Sequence, residues 1–198
     1  GENVVFLKNK PAFSFAQKKY QVDFQAGLLS PIPRNLAGFW MARERLNRGW
    51  MSLLMGHPEA AAPELQAGIG FYPDDPNFNY YLGLSLNRLR RPLEALPYLK
   101  RVAKKFPDSA EIQLQIGRAY VMTRQIEPAI EIYKEILEKN PMEINACIDL
   151  ARVYEITGND QALTQWQNCW GIYQANPQAF CATAEVITQA IKRLEKKR

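Results

Sequence analysis

Two consecutive stretches decide the fold: residues 76–109, PNFNYYLGLSLNRLRRPLEALPYLKRVAKKFPDS, and residues 110–143, AEIQLQIGRAYVMTRQIEPAIEIYKEILEKNPME. Laid over each other they keep register. Pro92, Ala95, Pro97, Leu99 and Pro107 of the first fall on Ile126, Ala129, Glu131, Tyr133 and Pro141 of the second. The same step taken backwards reaches Pro58, Ala61, Pro63, Leu65 and Pro73. A fixed step of 34 residues across five positions marks a repeat array, which is sought before any other organisation.

Each unit reads as two helices. Tyr81, Leu82, Gly83 and Leu86 begin an amphipathic helix, and Arg90-Arg91-Pro92 ends it. Leu93, Leu96, Leu99 and Val102 follow at helical spacing until Phe106-Pro107-Asp108. Pro92 suits a first helical turn, where its missing N–H removes no bond. Pro97 lies within the first two turns, so a kink or a late helix start is expected there.

These residues resemble the tetratricopeptide-repeat (TPR) family. Its motif runs from a large apolar residue through Leu-Gly and Tyr to Ala, an aromatic, Ala and Pro. The third unit has Ile116-Gly117, Tyr120, Ala129, Tyr133, Ile136 and Pro141, and the second Leu82-Gly83, Leu86, Ala95, Leu99, Val102 and Pro107. The fourth has Leu150-Ala151, Tyr154, Gly158, Ala162 and Trp166, the last pair one residue early, so its turn is expected to be shortened. The first keeps Gly49 and Ala61 but has Arg48 and Ser52 where Leu and Tyr stand in the family, and reads as a degenerate or capping repeat. Small residues such as Gly83 and Ala95 let the helices of a unit approach, and large ones such as Tyr120 and Tyr133 fill the gaps between units. The resemblance implies an all-α fold, a right-handed superhelix of antiparallel helix pairs.

The expected organisation is an N-terminal extension over 1–34, about four helix pairs over 35–177, and a capping helix with a basic tail over 178–198. Within the extension, Phe13, Ala16, Tyr20, Phe24 and Leu28 fit a helix from about 12 to 28, although Tyr20, Val22 and Phe24 also alternate like a strand. Ser30-Pro31-Ile32-Pro33 reads as a linker and Asn35 as the N-cap of a long helix to Met55. Ala179, Ala182, Val186, Ile187, Ala190, Ile191 and Leu194 give the closing helix its apolar stripe.

The chemistry-bearing residues are few. His57 is the one histidine, in a turn where solvation suffices to explain it. No pair with metal-ligand spacing, no phosphate-cradling glycine loop and no nucleophile-base arrangement is present, so neither catalysis, a metal nor a cofactor is expected. Cys147, Cys169 and Cys181 form no CxxC pair and sit in apolar helical contexts, which predicts free thiols; under oxidation the reading favours Cys169 with Cys181. No apolar run approaches the roughly 18 residues of a membrane span, and Trp50 to Met55 is the most hydrophobic stretch. No secretory signal opens the chain, but it starts with Gly1, so a removed signal or anchor stays open and the compartment is unassigned: a cytoplasmic protein or a soluble domain.

In the TPR resemblance the first helix of each unit lines a concave face through unit positions 2, 5, 9 and 12. These are Arg43, Leu46, Trp50 and Leu53, then Asn77, Tyr80, Leu84 and Asn87. The third and fourth units supply Glu111, Leu114, Arg118 and Val121, then Asn145, Ile148, Arg152 and Glu155. Some TPR domains clamp acidic C-termini of chaperones with polar groups here. Leu46, Trp50, Tyr80 and Leu84 occupy those places, so that activity is not expected. The expected role is a scaffold or adaptor taking a partner peptide or protein through Leu46, Trp50, Leu53, Tyr80, Leu84, Asn87, Leu114, Arg118, Val121 and Arg152. Self-association into a homo-oligomer is one version of it. Alternatively, the net charge of +5, concentrated in Lys8, Lys10, Lys18, Lys19, Lys192, Arg193, Lys196, Lys197 and Arg198, docks the ends on nucleic acid or an anionic membrane.

Overall fold

The computed structural model describes residues 36–178 and 183–196. Among them every regular element is a helix: α1 Leu36–Leu54, α2 Pro58–Ile69, α3 Pro76–Arg88, α4 Pro92–Lys105, α5 Ala110–Met122, α6 Ile126–Lys139, α7 Ile144–Thr157, α8 Ala162–Ala175 and α9 Ala184–Glu195. Among the described residues they run as four consecutive pairs followed by a last helix. The extension, the linker and Asn35 lie outside the described residues, as do Ala179 and Ala182. The closing helix starts at Ala184, later than residue 178, because Pro177 and Gln178 sit in a turn after α8. No helix of the described residues is long and apolar enough to cross a membrane.

The 34-residue step is written most sharply into the backbone of the turns. Gly56, Arg90, Arg124 and Gly158, one step apart each, all have positive φ, at 80°, 60°, 61° and 68°. Each follows the last turn of a unit's first helix. The next residue's N–H reaches back across the turn: His57 N to Ser52 O at 2.8 Å, Arg91 N to Leu86 O at 2.9 Å, Gln125 N to Tyr120 O at 2.9 Å and Asn159 N to Tyr154 O at 2.8 Å. This left-handed closure satisfies carbonyls that the helix end orphans. It also locates the shortening of the fourth unit. Gly158 keeps the step while Ala162 and Trp166, both buried, come one residue early, so the missing residue lies between 158 and 162.

Chain contacts divide the molecule into two compact units, Gly1–Ser85 and Leu86–Arg198, with the cut inside α3. In the first, Gly49 of α1 faces Leu65 of α2 so closely that a Cβ there would stand 2.6 Å from Leu65 Cγ, and Gly68 takes the ring of Phe78 in the same way. Arg45 pairs with Glu64 at 3.0 Å, and Ser85 Oγ donates to Pro58 O at 2.9 Å.

In the second unit, α4 runs from Pro92 through Pro97 to Lys105, so the helix does not start late. The bond that Pro97 cannot donate would have gone to the carbonyl of Leu93, a residue exposed to solvent in the first turn, where losing it costs least. One apolar cluster joins Leu114, Ala129, Tyr133, Ile136, Ala146, Leu150, Val153, Tyr154 and Ala162; a second joins Ile144, Cys147, Ile148, Ala151, Trp166, Cys169, Ile187 and Ala190, which seats α9 on the last pair. Tyr133 does more than fill a gap between repeats. Its ring lies against Gly117 of its own pair, where a Cβ would come within 2.5 Å of Cε1.

The cysteines depart from expectation. Cys147 of α7 and Cys169 of α8 form a disulfide, with Cα atoms 5.6 Å apart, so two of the three thiols are not free and the bonded partner of Cys169 is not Cys181. Antiparallel packing is the reason. Gly158, the turn of this pair, stands midway along the 22-residue separation of the two cysteines, so closing the pair places them side by side. Cys181 lies outside the described residues.

Candidate protein-binding faces

Within the first unit, α1 and the part of α3 up to Ser85 carry five of the expected contact residues. Leu46, Trp50 and Leu84 are half-buried, whereas Leu53 and Tyr80 are buried at 4% and 7% exposure. Tyr80 meets Tyr81 edge-on with ring centres 5.3 Å apart. Asp75 begins α3: its Oδ1 accepts from the backbone N–H of Asn77 at 2.8 Å and of Phe78 at 3.3 Å. That capping carboxylate, with Asn79 Nδ2 donating to Pro73 O at 2.7 Å, sets where the helix starts and hence which residues face inward. Apolar surface is concentrated on α1 and the turn after it, where Trp40, Met41, Met51, Leu54 and, in the turn, Met55 are exposed and Arg43 lies 5.7 Å over the Trp40 ring.

The second unit differs in chemistry. Asn87 is buried; its Nδ2 donates to Gln115 O at 2.8 Å and its Oδ1 has no partner among the described residues. Leu114 is a core residue at 2% exposure, and Val121 is half-buried against the same cluster. Arg118 is held from behind. Its Nε donates to Asp149 Oδ2 at 2.6 Å, and Arg152 Nη1 lies 3.6 Å from Asp149 Oδ1, while the Asp149 side chain is only 8% exposed. Burial by itself would lower the Arg118 pKa, but the charge and hydrogen bond of Asp149 outweigh it, so the guanidinium is held above its ordinary value. Burial, with Asp149 next, raises the Tyr133 hydroxyl well above the ordinary tyrosine range. Further along, Glu155 accepts from Arg193 Nε and Nη2 of α9, both at 2.9 Å, and from Trp166 Nε1 at 3.3 Å.

Position five is half-buried at Leu46 and buried at Tyr80, Leu114 and Ile148. Position twelve is buried at Leu53 and Asn87 and half-buried at Val121 and Glu155. Position nine is solvent-accessible in every unit: Trp50, Leu84 and Arg118 are half-buried and Arg152 is exposed. That column changes from apolar to cationic along the chain. The residues missed from sequence are Asp149 and Arg193. An acid inside the apolar run Ala146-Cys147-Ile148-Asp149-Leu150-Ala151 was the available signal, since a buried carboxylate requires a partner. No cluster of three His, Cys, Asp or Glu side chains among the described residues could hold a metal ion, and His57 is exposed, 3.1 Å from Glu59.

Comparison with known proteins agrees with this geometry. Two tetratricopeptide-repeat family models match, one over residues 53–110 and the other over residues 86–146. Similar solved structures include MamA, residue 41 to the end, from Desulfovibrio magneticus RS-1, at TM-score 0.64 and 19% identity, covering 68% of this chain and 77% of that one. TTC0263, a thermophilic TPR protein of Thermus thermophilus, aligns at TM-score 0.63 and 20% identity over 79% of this chain and 82% of its own. YrrB, described as a TPR protein with an unusual peptide-binding site, aligns at TM-score 0.61 and 20% identity over 72% of this chain and 74% of its own. No curated protein sequence matches. At these identities the likeness shows the fold, the all-α tetratricopeptide-type superhelix.

Proposed function

We propose that the chain, a member of the tetratricopeptide-repeat family, is a non-catalytic scaffold that takes a segment of a partner protein on the exposed faces of its first helices. Repeats of this family generally serve protein interaction. The observation that carries the finer reading is the position-nine column, accessible in all four repeats while the flanking columns turn mostly inward. In the first unit Trp50 and Leu84, with Leu46, offer apolar anchors, and the buried Leu53 and Tyr80 shape their footing. In the second unit Arg118, Arg152 and Val121 offer cations beside an apolar side chain, with Asn87 and Leu114 beneath. Asp149 keeps both guanidiniums oriented, which lowers the entropy lost when a partner's carboxylate or carbonyl is bound. YrrB supports the reading as a protein of this fold with a peptide-binding site of its own.

A photoreactive amino acid placed at Leu84 or Arg118 tests it, against a control at exposed Glu131 on α6. Cross-links from 84, from 118 or from both to a partner segment, absent from 131, are the expected result. Cross-links from 131 alone overturn the reading. The terminal-docking alternative differs in its salt response, since phosphate contacts make affinity fall steeply with salt. Of the tail cations, Arg193 is already engaged by Glu155.

A further inference from the structure

The turns of the second and third repeats carry a surface that the scaffold reading does not use. Left-handed backbone favours glycine, and Gly56 and Gly158 supply it in the first and last turns; at the two middle turns the same conformation is occupied by Arg90 and Arg124. Both side chains are exposed, and neither makes a side-chain hydrogen bond or ion pair among the described residues. A backbone strain tolerated at two successive repeats directs attention to what the side chains do there.

Beside them lies a cleft of about 560 Å³, lined by Arg90, Arg91, Leu93, Met122 and Gln125 among others. Arg124 sits in the turn between the lining residues Thr123 and Gln125. Leu93, 72% exposed, stands open to solvent. Arg91 is committed: its Nε and Nη2 hold both oxygens of Glu94 at 2.6 and 2.7 Å, which neutralises the acid lining the cleft. What remains is a pair of exposed cations flanking an exposed apolar patch.

We propose that this turn edge is a docking surface for an acidic, leucine-bearing segment of a partner protein, with Arg90 and Arg124 pairing its carboxylates and Leu93 and Met122 receiving its apolar side chain. Charge complementarity chooses the occupant. The chain's own residues 1–34 hold Lys8, Lys10, Lys18, Lys19 and Arg34 against Glu2 and Asp23, so they carry the wrong sign. A nucleic acid would meet the cations but has no use for Leu93 and Met122. The surface is separate from the position-nine column and stands or falls without it.

The test uses the full chain and a fluorescein-labelled peptide of repeated Glu-Leu-Asp-Glu, titrated by anisotropy. A peptide with Lys in place of its acids and a single-stranded RNA of similar charge serve as the other arms. The Arg90→Gly/Arg124→Gly variant removes both guanidiniums while relieving the backbone, so it keeps its fold and melts no lower than the parent. It is expected to bind the acidic peptide at least tenfold more weakly, Leu93→Ser also weakens binding, and Leu84→Lys leaves it unchanged. The proposal is overturned by absence of saturable binding to the parent chain or by undiminished binding to the double variant. Loss of the acidic peptide with Leu84→Lys, or tighter binding of the RNA that ignores Leu93→Ser, overturns it equally.

Discussion

Replacing Gly117 by Ala presses directly on the contact that holds a repeat closed. The added Cβ would stand 2.5 Å from Tyr133 Cε1, 2.9 Å from Cζ and 3.1 Å from the hydroxyl oxygen. Carbon atoms rest about 3.5–4.0 Å apart, so the ring must withdraw by about 1 Å. It has nowhere to go: Tyr133 is 1% exposed, and the neighbours in its cluster, Ala129, Ala146 and Leu150, are at most 3% exposed. Overpacking of this kind costs about 1–3 kcal/mol. Alanine returns about 1 kcal/mol of helix propensity over glycine. The net expectation is a loss of about 1 kcal/mol, or roughly 2–4 °C in melting temperature for a chain of this size. Gly171, in the middle of α8 with open space around it, is the control; there only propensity acts, and Gly171→Ala should stabilise by about 1 kcal/mol. Urea denaturation followed by far-UV circular dichroism reads both. Combining Gly117→Ala with Tyr133→Leu, which withdraws the ring, should cost less than the two singly. A Gly117→Ala protein as stable as the parent would refute the packing account.

Other perturbations follow from the same contacts. Reducing the Cys147–Cys169 bond, which spans 22 residues, should cost about 3 kcal/mol, seen as a lower melting temperature with reductant, and thiol titration of the denatured, unreduced chain should find one equivalent, not three. Arg90→Gly and Arg124→Gly should each stabilise by about 0.5 kcal/mol, the relief of left-handed strain less glycine's entropy; destabilisation of either in chemical unfolding would show that the strain is absent. Asp149→Asn should destabilise by about 1–2 kcal/mol, less than a fully buried pair because Arg118 is partly exposed, and an unchanged urea midpoint would deny the carboxylate its role. Because the folded pKa of Tyr133 is raised, its contribution is present below the ordinary tyrosine value and is lost as pH rises beyond it. Stability should therefore fall above about pH 10, and Tyr133→Phe should flatten that decline.

Much of the fold is local and hence legible in the sequence. Leu93, Leu96, Leu99 and Val102 recur at helical spacing because one face of a helix must leave water, and the prolines at 92, 107 and 141 mark ends because they cannot donate the next bond. The step from Pro58 to Pro92 to Ile126 repeats because each pair buries its apolar face only against its neighbour. The early Ala162 and Trp166 were readable for the same reason: a register is a one-dimensional property, and departures from it show.

What the tertiary structure alone decided depends on the approach of helices. Spacing placed Leu46, Tyr80 and Leu114 in one column with equal claims, but packing half-buries the first and buries the other two, because burial is set by which neighbour lies above each turn. Arg118 and Arg152 looked like open groove cations until α5 and α7 brought both to Asp149. Cys147 and Cys169 looked like inert apolar fillers, since nothing in their spacing records that the turn at Gly158 folds one onto the other. Nothing in Arg90 or Arg124 themselves marks their left-handed backbone; the glycines one repeat step away, Gly56 and Gly158, are its sign in the sequence. Closure of the helix pair imposes it, because the carbonyls at the end of the first helix must be satisfied whatever residue occupies the turn.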